Sequence, residues 1–206
     1  MSAIISLGMG YLIGCISPAA WISKKKNVDL KKEGTKNLGA TNTAIVLGRK
    51  AGIFVMLFDI LKSYFSARLA RVLFPQLVAA GLIACFGVIL GHCFPVTMQV
   101  QGGKGLAAFG GMVLAYRMWF FPVIVLPGLL LMAIFNTGAA MPFLASIMFP
   151  VLVALTQGSW QEIAMAALTG CFILFMHRDN LKRAREKRDV VPLNEFLKNT
   201  LFRKEK

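Results

Sequence analysis

The residues able to do chemistry in this 206-residue chain gather in three polar stretches. The first is Gly34-Thr35-Lys36-Asn37-Leu38-Gly39-Ala40-Thr41-Asn42. Paired glycines, threonines and asparagines suit a backbone that turns sharply and offers hydrogen-bonding groups, to its own loop or to a bound anion. The second runs from Gly91-His92-Cys93-Phe94-Pro95 to Gly102-Gly103-Lys104-Gly105. Glycine N–H groups beside one ammonium make a phosphate cradle. It is not a P-loop: Met98 stands five before Gly103, and Gly105 replaces the Ser or Thr that would hold magnesium. The third, His177-Arg178-Asp179-Asn180, sets one of only two histidines beside a carboxylate and an amide. That histidine suits a general base, an orienting donor or an interfacial anchor. Singly, each stretch also reads as an ordinary loop, a turn opening a helix, or an anchor.

What positions these stretches is a chain built for lipid. Hydrophobic residues make up 57% of it and mean hydropathy is +0.66, above the roughly 45–50% of soluble domains. No acidic residue stands between Asp59 and Glu162, while long apolar runs recur. The pattern predicts an all-α, polytopic integral membrane protein with about seven transmembrane helices, over 2–23, 51–73, 77–96, 105–116 (short for a bilayer), 118–135, 139–157 and 160–176. The first run lacks a basic leader and a cleavage site, so it reads as a retained helix. Gly10, Gly14 and Ser17 suit close helix packing there, and Pro18 bends it. Asp59 and Lys62, three apart, share one helical face and must turn inward, as a structural ion pair or as part of the site.

The net charge of +14 does not point to nucleic acid. Eight of the 23 cations fall at 24–50 and ten at 178–206, flanking the spans. Cytoplasmic loops carry such cations, which also attract anionic headgroups or phosphorylated substrates. Lys24-Lys25-Lys26 place the N-terminus outside; seven crossings then put the C-terminus and all three polar stretches on the cytoplasmic side. Residues 1–183 form one membrane-embedded domain, and 184–206 a basic tail, interfacial helix or frayed. Cys15, Cys85, Cys93 and Cys171 lack metal-site spacing and read as reduced packing residues.

Together the three stretches resemble the bacterial acyl-phosphate:glycerol-3-phosphate acyltransferase family, often called PlsY. Its motifs Gly-Ser-Gly-Asn-x-Gly-Ala-Thr-Asn, Gly-His-x-x-Pro-Val with Lys-Gly-Gly-Lys-Gly, and His-x-(Glu/Asp)-Asn match residues 34–42, 91–96 with 101–105, and 177–180. Its Asp-x-x-Lys pair matches Asp59 and Lys62. The resemblance covers almost the whole chain, in order and at similar spacing. It implies a bacterial inner-membrane enzyme that moves a fatty acyl group from acyl phosphate to the sn-1 hydroxyl of glycerol 3-phosphate. The products are lysophosphatidic acid and inorganic phosphate, and no cofactor or metal is needed. Lys104, His177, Asn180 and His92 are then the expected catalytic residues. Thr35, Lys36, Asn37, Gly39, Thr41, Asn42, Gly102 and Gly103 are the expected substrate ligands, with Asp59, Lys62 and Asp189 in support. No serine or cysteine beside a base suggests a covalent intermediate, so transfer is direct.

The chain departs from the pattern at several positions. Thr35 replaces the family's serine, Lys36 its second glycine, Ile45 an arginine and Gln101 a lysine; Lys187-Arg188-Asp189 stands for Gly-Thr-Glu. Lys36 is expected to supply part of the missing arginine's anion binding, with poorer orientation than a guanidinium gives. Two other readings remain open at this point: a divergent paralogue with a different phosphorylated acceptor or no catalysis, and an organic-phosphate transporter. Oligomeric state and chain-length preference leave no mark in the sequence.

Overall fold

The structure, a computed structural model, describes residues 1–186; the regular elements among them are all helical. They are α1 (Ser2–Gly14), α2 (Pro18–Lys25), α3 (Ala40–Leu47), α4 (Arg49–Leu73), α5 (Ala80–Cys93), α6 (Leu106–Tyr116), α7 (Phe120–Phe135), α8 (Ala140–Leu155), α9 (Trp160–Met176) and α10 (Arg178–Arg185). Helices occupy all seven positions that the hydropathy pattern marks. Ser2–Lys25 and Ala80–Met98 are long and apolar enough to cross a bilayer, and α9 with α10, bent by 56°, makes a third if counted as one broken span. The helix α6 has only 11 residues, whereas α4 has 25 but carries six charged side chains. Large apolar residues such as Phe65, Leu126, Leu130, Ile134 and Leu155 are exposed on the outside, a surface suited to lipid.

The first span breaks where Pro18 predicts. Lacking an N–H, Pro18 cannot close a bond to the Gly14 carbonyl, so α1 ends there and α2 begins afresh. Ser17 caps that new start, its Oγ accepting from the Ala20 N–H at 3.3 Å. Its part is thus a cap rather than a packing surface. Gly10 and Gly14 do pack as expected: a β-carbon on either would overlap the Ala84 or Val88 carbonyl of α5. Gly87 and Gly91 repay the fit against Leu7 and Tyr11 of α1, so the two backbones touch as small-residue seams allow.

The core lies among α5, α6, α8 and α9, where Val88, Ile89, Phe109, Met112, Phe149 and Ile173 are buried. The α3 helix, at a position where the apolar pattern marks no span, packs on the start of α4, with Gly52 seated against Ala44. The tail beyond residue 186, including Asp189, lies outside the described residues.

Candidate active site

The second polar stretch is shaped by the way α5 stops. Pro95 has no N–H to continue the helix, which leaves its last carbonyls without intrahelical partners. Three groups satisfy them. The Gly103 N–H donates to His92 O at 3.1 Å and the Gly102 N–H to Cys93 O at 3.1 Å. Tyr11 Oη donates to Phe94 O at 2.8 Å. A β-carbon on Gly102 would overlap the His92 carbonyl, and one on Gly103 the His92 imidazole. These glycines therefore cap α5 by close approach. The expectation that their N–H groups cradle a phosphate is corrected, since both are already donated. The residues they deliver are Lys104 and Gly105, whose φ of 81° starts α6 in a conformation glycine adopts freely.

The first stretch folds around Asn42, which is fully buried. Its Oδ1 accepts the Thr35 N–H at 2.6 Å, and its Nδ2 donates to the Leu30 and Asn37 carbonyls at 2.8 Å each. Asn37 forms a second clasp: Nδ2 donates to Thr35 Oγ1 at 3.0 Å and Oδ1 accepts the Gly39 N–H at 3.0 Å. Asn42 is thus a keystone of the loop, not the substrate ligand expected. The loop joins the second stretch through Leu38 N–H to Gly102 O at 3.4 Å and Lys31 Nζ to Met98 O at 3.1 Å.

Beneath both lies a buried charged knot. The Lys62 ammonium is ion-paired with Asp59 Oδ1 at 2.7 Å, donates to Ile16 O at 2.9 Å and Gly14 O at 3.2 Å, and lies 3.3 Å from His92 Nδ1. Gly14 O is the carbonyl that Pro18 orphans, so the ammonium supplies the missing donor. The same His92 Nδ1 lies 3.3 Å from Asp59 Oδ1. Asp59 and Lys62 are hence a buried structural pair, and the His92 imidazole packs against Gly103.

These elements enclose one cavity of about 640 Å³. Its polar end is lined by Thr35, Asn37, Gly39, Thr41, His92, Lys104, His177, Asn180 and Arg183. Its other wall is apolar, from Phe121, Ile124, Val125 and Leu129 to Met132 and Met141. The Lys104 ammonium donates to Asn180 Oδ1, which brings the second and third stretches together. Burial first, then the Arg183 guanidinium, holds the Lys104 pKa below the ordinary lysine value, with Asp179 opposing. His177 caps α9, its Nδ1 2.9 Å from the Ile173 carbonyl. A carbonyl only accepts, so Nδ1 carries the proton and Nε2 is the acceptor. Burial pushes the imidazole down to about 4, which keeps it neutral at pH 7.

The four expected catalytic residues thus share one cavity, as do Thr35, Asn37, Gly39 and Thr41. Lys36 does not: it is exposed, outside the wall, with φ of 57°. That left-handed backbone is where glycine fits best, and the expectation of an anion-binding Lys36 is corrected. Ile45 does line the cavity. Arg183 also lines the cavity, a position for which the sequence assigns it no site role. Its signal was its spacing, three residues after Asn180 and so on the same helical face. Among the described residues, no serine or cysteine lines the cavity.

The comparisons agree with this architecture. A model of the family described as glycerol-3-phosphate acyltransferase matches residues 4–187. The glycerol-3-phosphate acyltransferase of Streptococcus agalactiae serotype III (strain NEM316) is 33% identical, covering 93% of this chain and 95% of that protein. The one from Lactiplantibacillus plantarum (strain ATCC BAA-793 / NCIMB 8826 / WCFS1) is 34% identical, over 90% and 89%. Crystal structures of PlsY (YgiH), an integral membrane glycerol 3-phosphate acyltransferase, superpose with a TM-score of 0.85. The glycerol 3-phosphate form is 29% identical, covering 92% of this chain and 94% of that one. The lysophosphatidic acid form is 28% identical, over 96% and 99%. Matched by sequence and by fold over nearly its whole length, the chain belongs to the glycerol-3-phosphate acyltransferase family.

Proposed function

We propose that this protein is a bacterial membrane acyltransferase that transfers a fatty acyl group from acyl phosphate to the sn-1 hydroxyl of glycerol 3-phosphate, releasing lysophosphatidic acid and phosphate. The observation that carries this reading is the composition of the cavity. A polar end with two cations, suited to phosphate, opens into an apolar wall suited to an acyl chain. The related proteins bear the same activity in their names, and two related structures hold glycerol 3-phosphate and lysophosphatidic acid.

In this reading Lys104 pairs with phosphate and with the charge that develops at the acyl carbonyl as the hydroxyl attacks. His177 Nε2 accepts the hydroxyl hydrogen and Asn180 orients the substrate headgroup. Thr35, Asn37, Gly39 and Thr41 complete the polar wall. With no serine or cysteine there, the hydroxyl attacks the donor carbonyl directly and phosphate leaves, so proximity and electrostatics do the catalysis. The helices cross seven times, with the N-terminus outside. The site faces the cytoplasm, where the cations around 24–50 and after 177 belong by the positive-inside rule. The test is phosphate release from acyl phosphate by purified protein with and without glycerol 3-phosphate. Release that depends on the acceptor, with lysophosphatidic acid formed in equal amount, is the expected result. Release without acylated product would overturn the reading.

A further inference from the structure

Four basic side chains lie on α10: Arg178, Lys182, Arg183 and Arg185. Three of them turn away from the cavity. Arg178 donates to the Phe175 carbonyl at 2.9 Å and stacks 4.2 Å from the Phe175 ring. Lys182 and Arg185 are exposed and absent from the cavity wall. Arg183 is the exception: it is half-buried, lines the cavity, and its Nη2 lies 2.8 Å from Asn180 Oδ1. That oxygen is the same one that accepts the Lys104 ammonium.

Two full positive charges therefore converge on one neutral amide oxygen. The only carboxylate among the described lining residues, Asp59, is committed to Lys62 and His92. Asp179, on α10, is exposed and outside the wall. An amide oxygen carries a fraction of a charge and cannot neutralise both cations. A phosphoryl group carries about −1.5 to −2 and three acceptor oxygens, enough for both at once. The guanidinium fork also grips phosphate oxygens in pairs, which an ammonium cannot do.

We infer that Arg183 is a phosphate ligand of this site and closes, with Lys104, a two-cation seat for the phosphoryl group of a bound substrate. The inference rests on the cavity being the transferase site. In the unliganded protein the Asn180 oxygen holds the place that a phosphate oxygen takes on binding. Glycerol 3-phosphate and acyl phosphate present the same chemistry to the seat.

The test uses the purified full-length protein, with Arg183→Gln, Arg183→Lys and, as a charge control, Arg178→Gln. Glutamine retains a donor for Asn180 Oδ1, so the local tether survives. Inorganic phosphate is the probe, titrated by calorimetry, and half-saturation is measured with each substrate varied in turn. Arg183→Gln is expected to weaken phosphate binding tenfold or more, and Arg183→Lys to recover part of it. Arg178→Gln should leave phosphate affinity within twofold. A rise confined to glycerol 3-phosphate assigns the seat to the acceptor, and one confined to acyl phosphate assigns it to the donor; either supports the inference. Unchanged phosphate affinity with only a lower turnover or melting temperature would make Arg183 a mere tether and overturn it, as would an equal effect from Arg178→Gln. Should Arg183→Gln not fold, Arg183→Lys decides alone by the same comparison. A wild-type protein that binds phosphate through Arg183 yet transfers no acyl group would sink the proposed function and leave this inference standing.

Discussion

Two buried or partly buried lysines close to the polar loops, Lys62 and Lys104, hold their ammonium groups against oxygen atoms and behave oppositely. In the knot under the loops, Lys62 meets Asp59 and two carbonyls, and His92 completes the set. Charge within the Asp59–Lys62 pair sums to zero, and the side chains are buried. At the cavity, Lys104 and Arg183 share the Asn180 oxygen, with no free carboxylate in the wall. The first arrangement is complete once the chain has folded. The second carries surplus positive charge facing open volume, a surplus that an anion would neutralise. Pairing, rather than residue type, separates a lysine that holds the fold from one that binds substrate.

The sharpest way to break the comparison is to remove the knot's cation. Lys62→Met leaves Asp59 charged and unpaired in the interior and orphans the Gly14 and Ile16 carbonyls. Losing one partner of a buried pair costs about 3–5 kcal/mol, so thermal unfolding in detergent should shift far down or the protein should fail to accumulate. Asp59→Leu added to Lys62→Met should recover much of the loss. If Lys62→Met melts like wild type while turnover alone collapses, Asp59 and Lys62 belong to the chemistry and the contrast drawn above fails.

Lys104→Ala is the mirror case. Melting should move little, because no buried carboxylate is abandoned. Transfer should fall by an amount equivalent to about 2–5 kcal/mol, the usual effect of deleting a charge-assisted contact. Near-normal turnover at saturation together with an unchanged half-saturation concentration would remove Lys104 from the site. His177→Ala comes next, with turnover lower by about a hundredfold, the low end of general acid–base contributions. Half-saturation for both substrates should stay close to wild type, since a neutral imidazole adds little to phosphate binding. A large rise in half-saturation with turnover intact would instead make His177 a binding group.

Much of this was legible in the sequence, for reasons that differ by residue. Helix positions followed from apolar runs, and the break of the first span from Pro18, because a missing N–H acts locally. The meeting of the three polar stretches followed from counting crossings. What the sequence hid was the use of each polar atom. Gly102 and Gly103 read as phosphate donors because spacing cannot reveal that Pro95 leaves carbonyls for them to cap. Asn42 read as a ligand because its three partners come from 30, 35 and 37, a closure that only the folded loop displays. Arg183 was one of ten cations over 178–206, and composition does not say which member of a basic run points inward.

Lys36 supplies the smallest effect and the finest test of what separates a binding cation from an idle one. As a charge on a polar loop beside the cavity it resembles Lys104 on paper, yet it is exposed and outside the cavity wall, with φ of 57°. Lys36→Gly changes two local terms of opposite sign. Glycine relieves a left-handed conformation that costs an L-residue roughly 1–2 kcal/mol, but it also gives the unfolded chain more freedom, worth roughly 0.5–1 kcal/mol. The net change in stability should be a gain of about 0–1.5 kcal/mol. Half-saturation for glycerol 3-phosphate should remain within twofold, because water screens an exposed ammonium that touches no bound group. A clear weakening of acceptor binding in Lys36→Gly, with melting unchanged, would show that the exposed lysine reaches the substrate. Surplus charge in the cavity wall would then no longer be what marks the binding cations.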